Sequence, residues 1–434
     1  MNEYLNIAAE AEAGLIVGAR DVTPVRGLTH TFYRYPARFS GAFARAAIEA
    51  FTDPGDLVMD PHVGGGTSLV EALALGRDAV GVDISSLAEF VSSVKTTVFT
   101  DAELEVLSTW AKHLAGAIDL RAASVHFAEH FERGYYKHLD HPQRWRMRKA
   151  VEQALGSALK LPGRLEDFGR CVVLKTAQIA LDGRKSVMAI PAFREVLAWN
   201  AREMIEASRQ FRDEVVRHGN IPAVTILNRT AAGVEGDERV SKLGPPRLVV
   251  TSPPYPGVHV LYHRWQVGGG RETAAPFWIA NRLDGSGSSY YTMGARNAAV
   301  LDPYFEKVGA TMSSVARLCD DHAIIVQMLA FGAPAWQLPR YLETMEAAGL
   351  SEVFLPSLAR EADGRLWRTV PNRKWYSDQR GQTPGSQEVV LLHRKRDKAN
   401  LMPPARRGRS HPSRPSPVLP SSVSSGERWA LPPG

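Results

Sequence analysis

The stretch "DLVMDPHVGGGTSLVEALALGRDAVGVD", residues 56–83, decides the fold. Its opening apolar run ends on Asp60, and a proline followed closely by three glycines then breaks regular structure. "TSLVEALALG" has the apolar spacing of a helix, and "AVGVD" is a second short apolar run ending on Asp83. Strand, Gly-rich turn, helix and strand in this order make one βαβ unit of a parallel sheet. The turn lets a ligand approach the backbone closely, and the helix start beyond it favours polar or anionic groups. Asp83 stands 23 residues after Asp60, the spacing at which an acidic side chain accepts hydrogen bonds from ribose hydroxyls. A nicotinamide cofactor would suit the same geometry, but its usual G-x-G-x-x-G turn is absent.

Further apolar runs follow downstream: "AVTIL" near 223, "RLVVT" at 247, "AIIVQML" at 323 and "EVVLLHR" at 388, with "PYFEKVGATMSSVARL" and "LPRYLETMEAAG" as amphipathic helices between them. Strands alternating with helices predict an α/β fold with a doubly wound, mostly parallel sheet. Residues 101–220 interrupt the alternation with helix-like sequence, so a helical insertion large enough to be a subdomain is expected there. Smaller insertions are expected at 256–300 and 356–387. The expected organisation is an N-terminal segment (1–29), a main domain (30–100 and 221–395), the helical insertion (101–220) and a Pro/Ser/Arg-rich tail (396–434) that is expected to be disordered.

Composition excludes little. At 434 residues, 44% hydrophobic and 23% charged, the chain reads as an ordinary globular protein with a substantial core. The net charge of +6 is weak evidence for nucleic acid, because residues 401–434 hold five Arg and one Glu, leaving only +2 elsewhere. Two cysteines give neither a disulfide framework nor a thiolate zinc site, and no apolar run approaches a membrane span, so a cytoplasmic protein with no membrane association is expected.

"TSPPY", Thr251–Tyr255, ends one of the later strands. Proline cannot donate to a sheet and drives the preceding residue away from helix, so Ser252 and Pro253 must leave the strand extended and stiff. That holds a hydroxyl, two carbonyls and an aromatic ring rigidly at a sheet edge, where open α/β folds place their ligands.

"DPHVGGGT" followed by "GVDIS", with "TSPPY" at a later strand end, resembles the DNA amino-methyltransferase family, enzymes that methylate exocyclic amines of DNA bases with S-adenosylmethionine. Upstream, "HTFYRYPARF" resembles the element that closes over the cofactor's methionine. The resemblance implies a seven-stranded, Rossmann-like class I methyltransferase fold. It implies S-adenosylmethionine as cofactor, with Tyr35, Pro36, Phe39, Asp60, Pro61, Gly64, Gly66, Thr67 and Asp83 around it. On that basis Asp60 would meet the methionine amino group, Gly64 and Gly66 would let the backbone pass the cofactor, and Asp83 would hold the ribose. The family usually has Phe where His62 stands, and the acidic residue often found near the adenine is missing from "ILNRTAAG".

Catalysis would then fall to Ser252, Pro253, Pro254 and Tyr255. An exocyclic amine is a poor nucleophile because its lone pair is delocalised into the ring. If the Ser252 hydroxyl and the Pro253 carbonyl each accept one N–H, the lone pair is freed for in-line attack on a methyl group. Pro254 fixes the turn, and Tyr255 offers a face on which an extruded base can stack. Attack through a ring carbon would need an activated cysteine, and neither Cys171 nor Cys319 follows a proline or sits in a catalytic-looking loop.

The resemblance implies double-stranded DNA as partner, with the helical insertion at 101–220 a candidate DNA-recognition subdomain, and it also allows a cognate restriction endonuclease. "ERGYYKHLDHPQRWRMRK" interleaves Arg133, Lys137, Arg144, Arg146, Arg148 and Lys149 with Tyr135, Tyr136 and Trp145, a mixture suited to phosphates and stacked bases. Tyr262, Trp265, Phe277, Trp278, Tyr290 and Tyr291 are expected to wall a base pocket, with Arg365, Arg368, Arg373, Lys374, Trp367 and Trp375 as a second contact. "HFAEH" (126–130) matches the H-x-x-E-H zinc pattern, but no third ligand is evident and no metal is expected. The expected reaction is methylation of N4 of cytosine. N6 of adenine is second, an RNA amine third, and a DNA-binding protein without catalysis is the alternative of another class.

Overall fold

The computed structural model describes residues 3–23, 25–35, 39–124, 127–256, 265–281, 301–361, 363–369 and 387–396. The tail expected at 396–434 therefore lies outside the described residues, apart from Arg396. The strands are β1 (Leu57–Asp60), β2 (Asp78–Asp83), β3 (Val224–Asn228), β4 (Leu248–Thr251), β5 (Trp265–Val267), β6 (Arg271–Thr273), β7 (Ile324–Leu329), β8 (Leu350–Val353), β9 (Leu366–Thr369) and β10 (Gln387–Lys395). The helices are α1 (Ala9–Arg20), α2 (Gly41–Phe51), α3 (Thr67–Ala74), α4 (Ser86–Thr96), α5 (Asp101–Leu114), α6 (Phe127–Glu132), α7 (Trp145–Ala158), α8 (Arg164–Leu181), α9 (Ile190–Val216), α10 (Glu238–Ser241), α11 (Ala275–Ala280), α12 (Asp302–Leu318) and α13 (Pro334–Ala347).

The main sheet runs β3-β2-β1-β4-β7-β10-β8, with β9 pairing β10 beside β8. β1, β2, β3, β4 and β7 are mutually parallel, and β10 is antiparallel to its neighbours. The expected doubly wound, mostly parallel sheet is present, with β9 as one strand beyond the expected seven.

Strand sequences explain why both faces are covered. Val58, Ala79, Val250, Val326 and Val390 point into one apolar layer with Leu15, Phe43, Ile48 and Leu69 of α1, α2 and α3. Their neighbours Leu57, Met59, Val80, Val249, Ile325 and Leu391 point into the other, with Val308 and Met312 of α12 and Tyr341 and Met345 of α13. Period-two alternation of apolar with apolar is what a buried parallel sheet demands.

Between Asp101 and Val216 the helices α5 to α9 pack around a third apolar cluster that includes Leu107, Met147, Phe168, Val172 and Leu197. That cluster continues into Phe32, Tyr33 and Tyr35, into Leu87 and Phe90 of α4, and into Trp265 and Trp278. Among the described residues no helix is long and apolar enough to cross a membrane.

Candidate functional site

Strand order reverses direction between β1 and β4, which makes their carboxyl ends the switch point where such sheets bind ligands. The register pairs Val58 with Leu248 and Met59 with Val249, so the turn after Asp60 and the motif after Thr251 emerge side by side. The two motifs are bonded to each other: the Thr251 hydroxyl donates to Asp60 Oδ1 at 2.7 Å. The His62 backbone N–H also donates to Oδ1, at 3.1 Å, and the Ser68 hydroxyl of α3 donates to Oδ2 at 2.5 Å. Asp60 is 1% exposed, and this burial raises its carboxyl from the ordinary 3.8 to about 6. Asp60 therefore ties β1, α3 and β4 together at the floor of the site, with three of its roughly four acceptor directions taken.

Asp83, at the end of β2, accepts the backbone N–H groups of Gly64 and Ser85, each at 2.9 Å. It thus holds the Gly-rich turn against the next strand end. Gly64 and Gly66 both have positive φ, 48° and 74°. A side chain at Gly64 would meet the Tyr35 ring at 3.3 Å, and one at Gly66 would meet Ser92 Oγ at 2.8 Å. In this structure the glycines thus make room for the protein's own Tyr35 and Ser92, with Tyr35 lying over the turn. Phe39 packs edge-on against Phe43 in the α1–α2 core layer, their centroids 5.5 Å apart. Pro61 is buried. Pro36 lies outside the described residues.

Two buried polar atoms flank the turn without a hydrogen-bond partner, His62 Nε2 and Thr67 Oγ1. Buried polar groups are rarely left so unless a ligand completes them. Neither Asp83 nor these atoms require a metal, and among the described residues no cluster of His, Cys, Asp and Glu could hold one. His126 of the "HFAEH" stretch is outside the described residues.

At the other motif, Ser252 and Pro254 are half-buried and Pro253 is buried. Tyr255 is only 8% exposed, and its hydroxyl donates to Glu388 Oε1 of β10 at 2.7 Å. Glu388 in turn accepts from Arg368 Nε at 2.7 Å. The ring is thereby fixed, and a base can stack on it only if neighbouring groups give way. Both cysteines are buried, and burial pushes each thiol up to about 12, so neither is a ready nucleophile.

The structure corrects the expected DNA contacts. Arg148 is buried with its guanidinium 4.7 Å from the Phe127 ring centroid and 4.6 Å from that of Tyr136, bonded to Glu152 at 3.1 Å. Arg144 is also buried and donates to the His138 carbonyl, while Tyr135 and Tyr136 are core residues. Of that group Arg133, Lys137 and Arg146 are exposed. Trp265, Phe277 and Trp278 pack in the helical core rather than lining a base pocket, and the Trp265 indole donates to Tyr33. Arg365 pairs with Glu352 and Arg368 with Glu388, while Trp367 donates to Asp363. Tyr262, Tyr290, Tyr291, Arg373, Lys374 and Trp375 lie outside the described residues.

Sequence reasoning missed residues that reach the site from other elements, Glu388 of β10 among them. Lys95 of α4 is 0% exposed, and its ammonium donates to the Gly65 carbonyl at 2.6 Å. Its trace in the sequence is a lysine inside the apolar face of "AEFVSSVKT". Thr251 was legible only as the start of "TSPPY", and its bond to Asp60 has no sequence signature.

A parallel sheet with this strand order, an acid-ended β1–turn–helix unit and a Ser-Pro-Pro-Tyr strand end define a class I methyltransferase-like fold. Residues 19–92 match the family model described as DNA methylase. Over 85 residues the chain is 36% identical to the Type II methyltransferase M.MvaI of Kocuria varians, 19% of each chain. Over 71 residues it is 32% identical to the Type II methyltransferase M.BsoBI of Geobacillus stearothermophilus, 16% of this chain and 14% of that one. The matches thus span less than a fifth of either relative's length. This segment is similar to the DNA methylase model and to Type II methyltransferases. The rRNA methyltransferase aviRa from Streptomyces viridochromogenes aligns over 90% of this chain and 94% of its own, at 11% identity and a TM-score of 0.30.

Proposed function

We propose that the protein is a DNA methyltransferase that uses S-adenosylmethionine to methylate an exocyclic amine, N4 of cytosine in the first instance. The observation that carries this reading is the direct bond between the two motifs, Thr251 Oγ1 to Asp60 Oδ1, at the switch point of the sheet. It joins a cofactor-type turn to an amine-accepting strand end within one hydrogen bond.

The residues present suit such a cofactor. Asp83 at the β2 end has the position for ribose hydroxyls, and Thr67 Oγ1 and His62 Nε2 await polar partners beside the turn. When bound, S-adenosylmethionine supplies an electrophilic sulfonium methyl. On the other side the Ser252 hydroxyl and the Pro253 carbonyl accept the two N–H bonds of the amine and localise its lone pair. The prolines hold those acceptors without a conformational search, so the chain contributes orientation rather than a covalent nucleophile. Tyr255, anchored through Glu388, is the stacking partner of the extruded base.

Transfer of tritium from labelled S-adenosylmethionine to duplex DNA and to RNA in parallel tests the reading. Label in DNA alone is expected. Label in RNA alone, or in neither, would contradict it.

A further inference from the structure

The contacts of His62 determine which of its ring nitrogens is available. The Thr251 hydroxyl has one proton and gives it to the Asp60 carboxylate. Thr251 Oγ1 also lies 3.3 Å from His62 Nδ1, and with its proton committed it can only accept there. Nδ1 therefore carries the imidazole proton, and Nε2 is left as a bare acceptor, buried and unpartnered. Burial also lowers the ring's pKa to about 4, so the imidazole is neutral at physiological pH. A carboxylate that orients an imidazole and makes its far nitrogen more basic is a familiar arrangement, here extended by one hydroxyl.

The occupant of that acceptor must bring an N–H to the edge of the Gly-rich turn. Asp60, the residue expected to receive the cofactor's amino group, already accepts three donors and is almost fully enclosed. The chain Asp60–Thr251–His62 carries its acceptor character outward to Nε2. Resting on the methyltransferase reading above, we infer that His62 Nε2, in place of Asp60, accepts a hydrogen bond from the α-ammonium group of S-adenosylmethionine. Asp60 and Thr251 then act as positioning residues that fix the tautomer.

The test uses the full chain and two probes, S-adenosylhomocysteine and 5′-methylthioadenosine, which lacks the amino-acid end. By calorimetry, His62→Phe is expected to weaken S-adenosylhomocysteine about 10- to 100-fold, the effect of losing a charge-assisted hydrogen bond, and to leave methylthioadenosine unchanged. His62→Gln, which can place an acceptor near the Nε2 position, is expected to recover part of the loss. In wild-type protein labelled with 15N-histidine, NMR is expected to show the Nδ1–H tautomer, with the Nε2 resonance moving when S-adenosylhomocysteine binds and not when methylthioadenosine binds. Equal losses for both probes, undiminished S-adenosylhomocysteine affinity in His62→Phe, or an Nε2–H tautomer would overturn the assignment. Failure of the wild-type protein to bind S-adenosylhomocysteine would instead overturn the functional reading along with it.

Discussion

Asp60 holds an ionisable carboxyl where almost no water reaches it, and that has a measurable cost. Its pKa is raised to about 6 from 3.8, so the folded protein binds the proton more tightly than the unfolded chain does. The penalty is absent below the ordinary carboxylate range, grows as pH rises through 6, and amounts to roughly 3 kcal/mol at neutral pH. Asp60→Asn keeps an oxygen for Thr251 and the His62 N–H and turns an amide toward the Ser68 oxygen. Denaturant unfolding should find this variant about 1–3 kcal/mol more stable than wild type near pH 8 and no more stable near pH 4. A loss of stability near pH 8 would mean that the charge itself holds the turn. Calorimetry should also show weaker cofactor binding, since stability given up at a site commonly serves its ligand. At the other motif, Ser252→Ala and Tyr255→Ala should lower turnover far more than cofactor affinity, because both act on the base. Parallel losses in titrations with S-adenosylhomocysteine would mean that these residues support the cofactor site. The motifs put Asp60, Asp83 and Ser252 at strand ends, and that is where the structure has them. Glu388 and Lys95 were not legible, because each reaches the site from a distant element and nothing local announces it.

The elements around the site are held by contacts that composition misreads. Arg144 and Arg148 look like a phosphate-binding run beside Arg146, yet Arg144 just before α7 and Arg148 within it are buried while Arg146 is exposed. Their helical spacing, four apart with Arg146 on another face, contained that information, but interleaved aromatics suggested bases rather than a core. Arg148→Ala should destabilise the helical region by about 3 kcal/mol, the scale of breaking a buried ion pair, as read by thermal unfolding. Arg146→Ala should leave stability unchanged and flatten the salt dependence of DNA binding measured by fluorescence anisotropy. The opposite pattern would restore Arg148 to a DNA-contact role. At the start of α3, Gly66→Ala combines a φ of 74° with a contact to Ser92 Oγ at 2.8 Å. A loss of about 1–3 kcal/mol in denaturant unfolding is expected. An unchanged midpoint would show that the turn relaxes freely.

Across the whole molecule, apolar runs located β1, β2, β3, β4, β7 and β10, because a buried parallel sheet leaves continuous apolar sequence. β8, "LSEV", and β9, "LWRT", escaped that test. Both are short and partly polar, and they exist because β10 offers them an edge. The joining of two motifs far apart in sequence, Asp60 to Thr251, follows from the pairing of β1 with β4, which no local pattern could supply. Amine methylation on DNA is the claim on which the rest depends. The most direct measurement is mass spectrometry of nucleosides from duplex DNA incubated with the protein and S-adenosylmethionine. We expect N4-methylcytosine. N6-methyladenine alone would overturn the choice of base while leaving the amine chemistry in place, and 5-methylcytosine or unmodified DNA would contradict the account.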